Sequence, residues 1–133
     1  MKTKDIKQKA IIPAKPMEVY DALMDSKKHS AFTSSVCKIG KKEGTVYTAY
    51  DGYINGKNVK LVPGKKIVQT WQAVDGVWPE GYYSEITFDL KANPKGTEIS
   101  FVHKGVPDNQ VEEFKKGWKD FYWKPLKAYF GNK

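Results

Sequence analysis

The side chains able to do chemistry in this sequence are few: one cysteine, Cys37, two histidines, His29 and His103, and carboxylates spread along the chain. A nucleophilic Cys37 would need a base beside it and a third group to orient that base. Its ionisable neighbour in the sequence is Lys38, which supplies neither. Two histidines and one cysteine offer no zinc-ligand spacing, so no metal, cofactor or catalytic residue is assigned. Asp51, Glu80, Glu85 and Asp89 form no recognisable acid/base pair and read as surface groups. His29 falls in a short polar segment and is expected to be exposed. His103 shares a strand face with Ile99 and Phe101, which makes it a candidate to hydrogen-bond a ligand. A lone histidine near a strand end is more often a satisfied structural group.

What the chain holds in quantity is aromatic surface, 14% of its residues. Trp71, Trp78, Tyr82, Phe101, Trp118 and Tyr122, with His103, form the candidate ligand-binding set. Their rings offer apolar area, and their phenol and indole tips can orient a guest. The structural alternative is that they fill a core between a sheet and a helix.

The elements that must position these rings follow from periodicity and turn chemistry. Asp5 to Ile12 reads as a strand stopped by Pro13. Pro16 suits the first turn of a helix in which Met17, Val19, Tyr20, Leu23 and Met24 recur at helical spacing. A second short helix, Ser26 to Phe32, follows with Asp25 or Ser26 as N-cap. From Thr45 the period becomes two. Thr45 to Ile54 and Lys57 to Val62 flank Asn55-Gly56, a hairpin-turn dipeptide, and Pro63-Gly64 predicts a type II turn. Further strands are expected over Lys66 to Val74, Tyr82 to Lys91 and Thr97 to Lys104, with Trp78-Pro79-Glu80-Gly81 and Asn93-Pro94-Lys95-Gly96 between them. Ile86, Phe88 and Leu90 share one face, as do Ile99, Phe101 and His103. Gly52, Gly56 and Gly81 are assigned to turns, bulges or close backbone approach. Asp108 is the expected N-cap of a long helix whose apolar stripe is Val111, Phe114, Trp118, Phe121, Tyr122, Pro125, Leu126 and Tyr129. Pro125 should bend it.

This order implies an α+β layer fold, a curved antiparallel sheet wrapped around a long C-terminal helix, as one domain over residues 1–133. No run approaches the roughly 18 apolar residues of a membrane span. Residues Met1 to Ala10 lack the apolar stretch of a secretory leader, and a single cysteine suits a reducing compartment, so a cytoplasmic location is expected. The net charge of +8 comes from 23 basic residues that are all lysine. Scattered lysines without a guanidinium read as a solvated surface, not as a nucleic-acid site.

Three stretches carry a family resemblance. The first is Tyr50-Asp51-Gly52, then Gly56, then the run from Leu61-Val62-Pro63-Gly64 to Thr70-Trp71. The second is Trp78-Pro79-Glu80-Gly81-Tyr82-Tyr83-Ser84. The third joins His103-Lys104-Gly105-Val106-Pro107 with Gly117-Trp118, Phe121-Tyr122-Trp123 and Pro125-Leu126. In order and spacing they resemble the C-terminal domain of the activators of the heat-shock protein 90 ATPase, within the Bet v 1 and START-like helix-grip superfamily. The likeness covers roughly residues 8 to 131. It implies a helix-grip fold and a non-enzymatic binding domain, whose partner would be an apolar small molecule in a sheet/helix cavity or a heat-shock protein 90-type chaperone. Distant helix-grip relatives act as cyclases or hydrolases, so a cavity-based enzyme is the rival reading. A protein-interaction module without a cavity is the third.

Overall fold

The computed structural model describes residues 2–75 and 78–131, and so leaves both ends of the expected 1–133 domain outside the described residues. Seven strands form one antiparallel sheet in the order β1-β7-β6-β5-β4-β3-β2: β1 (Thr3–Ile12), β2 (Lys38–Ile39), β3 (Val46–Ala49), β4 (Ile54–Val62), β5 (Lys66–Ala73), β6 (Ser84–Asn93) and β7 (Gly96–Pro107). Helices α1 (Pro16–Met24) and α2 (Ser26–Thr33) make the crossing from β1 at one edge to β2 at the other. The sheet curves around a C-terminal helix over residues 111–131, the helix-grip arrangement expected from the sequence.

Period-two patterning sets the inner face. Ile67, Gln69, Trp71 and Ala73 of β5 are buried, with Ser84, Ile86, Phe88 and Leu90 of β6 and Thr97, Ile99, Phe101 and His103 of β7. Register places Phe88 opposite Phe101 and Ile86 opposite His103. The Phe88 and Phe101 ring centroids lie 5.1 Å apart, an aromatic cross-strand pair of the kind that stabilises a sheet. At Pro63-Gly64 the chain turns as expected: Gly64 has φ +73° and the Lys65 N–H donates to the Val62 carbonyl. Asp25 caps α2 by accepting from the Lys28 N–H at 3.0 Å.

Four expectations are corrected. Asn55-Gly56 is not a turn: both residues lie inside β4, opposite Thr48 and Tyr47 of β3. The reversal occurs earlier, at Tyr50–Gly52, where Tyr50, Asp51 and Gly52 have φ of 51°, 57° and 91°. Gly56 is needed for close approach, because a Cβ there would collide with the Thr70 carbonyl of β5. Asp108 does not cap the long helix. It lies in a 3-10 turn, and Gln110 occupies the cap position without a capping side-chain bond. His29 is buried, for reasons given below.

The fourth correction concerns the stripe. The long helix comprises α3 (Val111–Trp118), a π turn (Lys119–Trp123) and α4 (Lys124–Gly131). Pro125 has no N–H to give the Phe121 carbonyl four residues back. The Lys124 N–H reaches instead to Lys119, five residues away. This extra residue per turn swings Phe121 out to 57% exposure and turns Trp123 in to 5%, where its indole N–H donates to Gln8 of β1 at 2.7 Å. The break imposed by proline therefore takes the form of a π turn.

Candidate functional site

An open groove of about 270 Å³ lies between the Tyr50–Gly52 turn and the long helix. Tyr50, Tyr53 and Ile54 form one wall, Phe114, Trp118 and Phe121 the other, and Trp71 of β5 and Tyr122 complete the aromatic lining. Gly117 and Glu113 also border it. Gly117 contributes by lacking a side chain, since a Cβ there would sit 3.9 Å from Phe121 Cδ2 with nothing nearer, in space that now belongs to the groove. A mid-helix glycine costs the helix about 1 kcal/mol relative to alanine. Deeper between sheet and helix the packing closes to a void of about 10 Å³, with room for no more than a single water.

The turn that walls the groove is strained. Two consecutive non-glycine residues in the left-handed region cost on the order of 1–2 kcal/mol each. Offsetting contacts hold them: the Asp51 N–H donates to the Val36 carbonyl at 3.0 Å and the Tyr53 N–H to the Tyr50 carbonyl at 3.1 Å. Across the groove the Tyr50 hydroxyl donates to the Phe121 carbonyl at 2.9 Å. That carbonyl is the one to which Pro125, four residues on, has no N–H to donate, and Tyr50 supplies a donor from the strained turn. The Tyr50 ring meets Phe121 edge-on at 5.8 Å and 72°.

Behind this wall both histidines are fully engaged. The Trp118 indole N–H donates to His103 Nδ1 at 3.1 Å, which leaves the proton of the neutral ring on Nε2. Nε2 then donates to Ser84 Oγ at 2.7 Å, and Ser84 donates to the Trp71 carbonyl at 3.0 Å. Burial alone lowers the His103 pKa from 6.5 to about 3. His29 Nδ1 donates to the Leu23 carbonyl at 2.9 Å, and its Nε2 accepts from the Tyr122 hydroxyl at 2.8 Å. Burial lowers its pKa to about 4, against a smaller upward effect of the Leu23 bond. The Tyr122 phenol is held well above its ordinary value, chiefly by burial. Both rings are thus neutral at pH 7 and locked in one tautomer, a structural use of histidine.

Of the candidate ligand-binding residues, Trp71, Trp118 and Tyr122 meet at the groove. His103 and Phe101 lie behind them, at 0% and 1% exposure. Trp78 packs on Trp71 with centroids 5.6 Å apart and donates to Gln110 Oε1 at 2.8 Å, and Gln110 in turn donates to Asp75. Tyr82 packs at a tilt against Trp78 and donates to the Gly105 carbonyl. The sequence pattern did not single out Tyr50, Tyr53, Ile54, Glu113 or Gly117 as lining residues, and it placed Phe114 and Phe121 only in the helix stripe. The aromatic-flanked run Tyr50-Asp51-Gly52-Tyr53 was the available signal. Cys37 is buried, with Thr33 Oγ1 3.5 Å from its sulfur. Among the described residues no group of three His, Cys, Asp or Glu side chains converges to hold a metal, and no helix is long and apolar enough to cross a membrane.

The model of the family described as activator of Hsp90 ATPase homolog 1-like protein matches residues 13–131, taking in both groove walls and the whole long helix. The chain belongs to this family. It is 36% identical over 118 residues to the activator of 90 kDa heat shock protein ATPase homolog of Dictyostelium discoideum, covering 88% of this chain and 30% of that protein. With the human activator homolog 1 it shares 29% over 116 residues, 87% of this chain and 34% of the relative. The activator-like domain thus spans about a third of the length of these curated relatives. A crystal structure of an HSP90 activator from Plasmodium falciparum superposes with a TM-score of 0.81 at 22% identity, over 97% of this chain and 96% of that one, which establishes the common fold.

Proposed function

We propose that this chain is a non-enzymatic, cytoplasmic binding domain whose partner is an Hsp90-type chaperone, and that its aromatic groove accommodates an apolar group on binding. The groove carries this reading: an open apolar concavity beside two exposed rings, Tyr53 and Phe121, where desolvation favours uptake of apolar surface. The commitment of His29 and His103 to internal bonds supports a binding role over an enzymatic one. Family membership supports the chaperone as partner. Stimulation of an ATPase requires the domain to bind one conformational state of the chaperone more tightly than the others.

Calorimetric titration of the chaperone with this chain, run beside an ATPase assay, tests the proposal. Binding with faster turnover is expected, weakened when Tyr53→Ala and Phe121→Ala open the groove walls. No binding and no change in rate would overturn it. The space left by Gly117 favours a second reading, in which the groove holds a small apolar molecule on its own.

A further inference from the structure

The groove has a charge as well as a shape. Among the described residues Glu113 is the one charged side chain that lines it, on a chain whose net charge is +8. On the long helix Lys115 pairs with Glu112 and Lys124 with Asp120, whereas among the described residues no lysine pairs with Glu113. The Tyr53 phenol is held above its ordinary value by partial burial first, then by the carboxylates of Asp75 and Glu113. Glu113 thus gives the Tyr53 side of the groove a carboxylate with no lysine ion pair among the described residues.

The walls add to that sign. Tyr50 and Phe121 meet at 72°, as Trp71 and Phe114 do at 73°, so these lining rings pair edge to face and do not lie in one stack. Aromatic faces carry the negative end of the ring quadrupole and attract cations. Three polar hydrogens of the lining are committed inside the protein: Tyr50 donates to Phe121, Tyr122 to His29 and Trp118 to His103, and the Tyr53 hydroxyl sits at the exposed rim. An anion would find no free donor in these three and would meet Glu113. A bare ammonium would lose water that an apolar lining does not replace, whereas an alkylated ammonium presents methyl groups to the rings. Lys116, one turn from Glu113 on the same helix, opposes its charge without forming an ion pair to it, and the field of more distant lysines decays over about 8 Å at physiological salt.

We propose that the groove between the Tyr50–Gly52 turn and α3 binds a small organic cation, an alkylated ammonium, with aromatic rings around its alkyl groups and the Glu113 carboxylate at its mouth. The volume of about 270 Å³ sits just under the roughly 300–1,000 Å³ of drug-sized sites, so the ligand is small. This inference rests on the reading of the groove as a binding site and adds its ligand class.

The test compares choline with 3,3-dimethylbutan-1-ol, which has carbon in place of the quaternary nitrogen, by NMR titration of the full chain. Choline is expected to shift the indole resonances of Trp71 and Trp118 and to bind about tenfold more tightly than the alcohol. Glu113→Gln, an exposed substitution, should remove most of that difference and leave the alcohol unchanged. Phe121→Ala, at a side chain already exposed, should weaken both compounds without disturbing resonances far from the groove. Equal affinity of the two compounds for the wild-type chain would overturn the cation class while leaving a groove that binds apolar bodies. If neither compound shifted the groove resonances, the cation site and the groove's small-molecule role would both fall, while the chaperone titration would stand as a separate measurement.

Discussion

His103 and His29 show how burial converts a group suited to proton chemistry into a structural one. Each is less basic in the folded chain than its ordinary 6.5, at about 3 and about 4. As pH falls the unfolded chain therefore takes up protons first. The stability tied to the neutral rings is complete above about pH 6.5 and is lost as pH drops toward 4 for His29 and 3 for His103, with a slope of up to about 1.4 kcal/mol per pH unit for each. Denaturant melts at pH 7, 6 and 5 should show this decline. His103→Gln should reduce its slope, whatever the substitution costs at pH 7. Two glycines make an opposed pair at the same scale. Gly56→Ala forces a methyl into the Thr70 carbonyl and should cost about 3 kcal/mol or more. Gly117→Ala meets nothing closer than Phe121 at 3.9 Å and should stabilise the helix by about 0.5–1 kcal/mol, while narrowing the groove. Thermal melts of the two variants should move in opposite directions.

The long helix and the Tyr50–Gly52 turn are coupled through one carbonyl. Pro125 cannot give Phe121 O the regular i+4 helical bond, and the Tyr50 hydroxyl donates to it at 2.9 Å. Tyr50→Phe should then cost about 1 kcal/mol in the native background. With Pro125→Ala a new N–H can close a regular helical bond to the same carbonyl, and the Tyr50→Phe cost should shrink toward zero. A double-mutant cycle should give a coupling of about 0.5–1 kcal/mol. Additive effects would mean that the π turn has a cause other than the proline. The outward position of Phe121 depends on the same π turn, so the doubly substituted chain should also have a reshaped groove.

At the scale of the molecule, charge and groove act over different ranges. Lysines supply the net +8, and long-range attraction of this kind raises the rate at which acidic partners are met more than it strengthens the final contact. Stopped-flow association with the proposed chaperone partner should therefore slow as salt rises from low to physiological, with a smaller change in the dissociation rate. The reverse pattern would place the lysines within the contact itself.

How much of this was legible beforehand follows from the range of the forces involved. Period-two runs marked β5, β6 and β7 and the inward sets Ile86, Phe88, Leu90 and Ile99, Phe101, His103 of the last two, because alternation is a local property of a half-buried strand. Pro16, Asp25 and Pro63-Gly64 marked their helix starts and turn because each acts through its own backbone. Asn55-Gly56 misled, since the dipeptide that tolerates a turn also provides the bare position where Thr70 of another strand passes close. Asp108 and Phe121 misled because the helix start and its π turn answer to partners far along the chain, Gln110 to Trp78 and Asp75, and Phe121 to Tyr50. The burial of His29 required Tyr122, 93 residues away. The sequence by itself determined the α+β layers, the family resemblance and the supply of rings. Only the tertiary structure decided which rings fill the core and which border the groove, because that division depends on packing between the 50–53 turn and a helix remote from it in sequence.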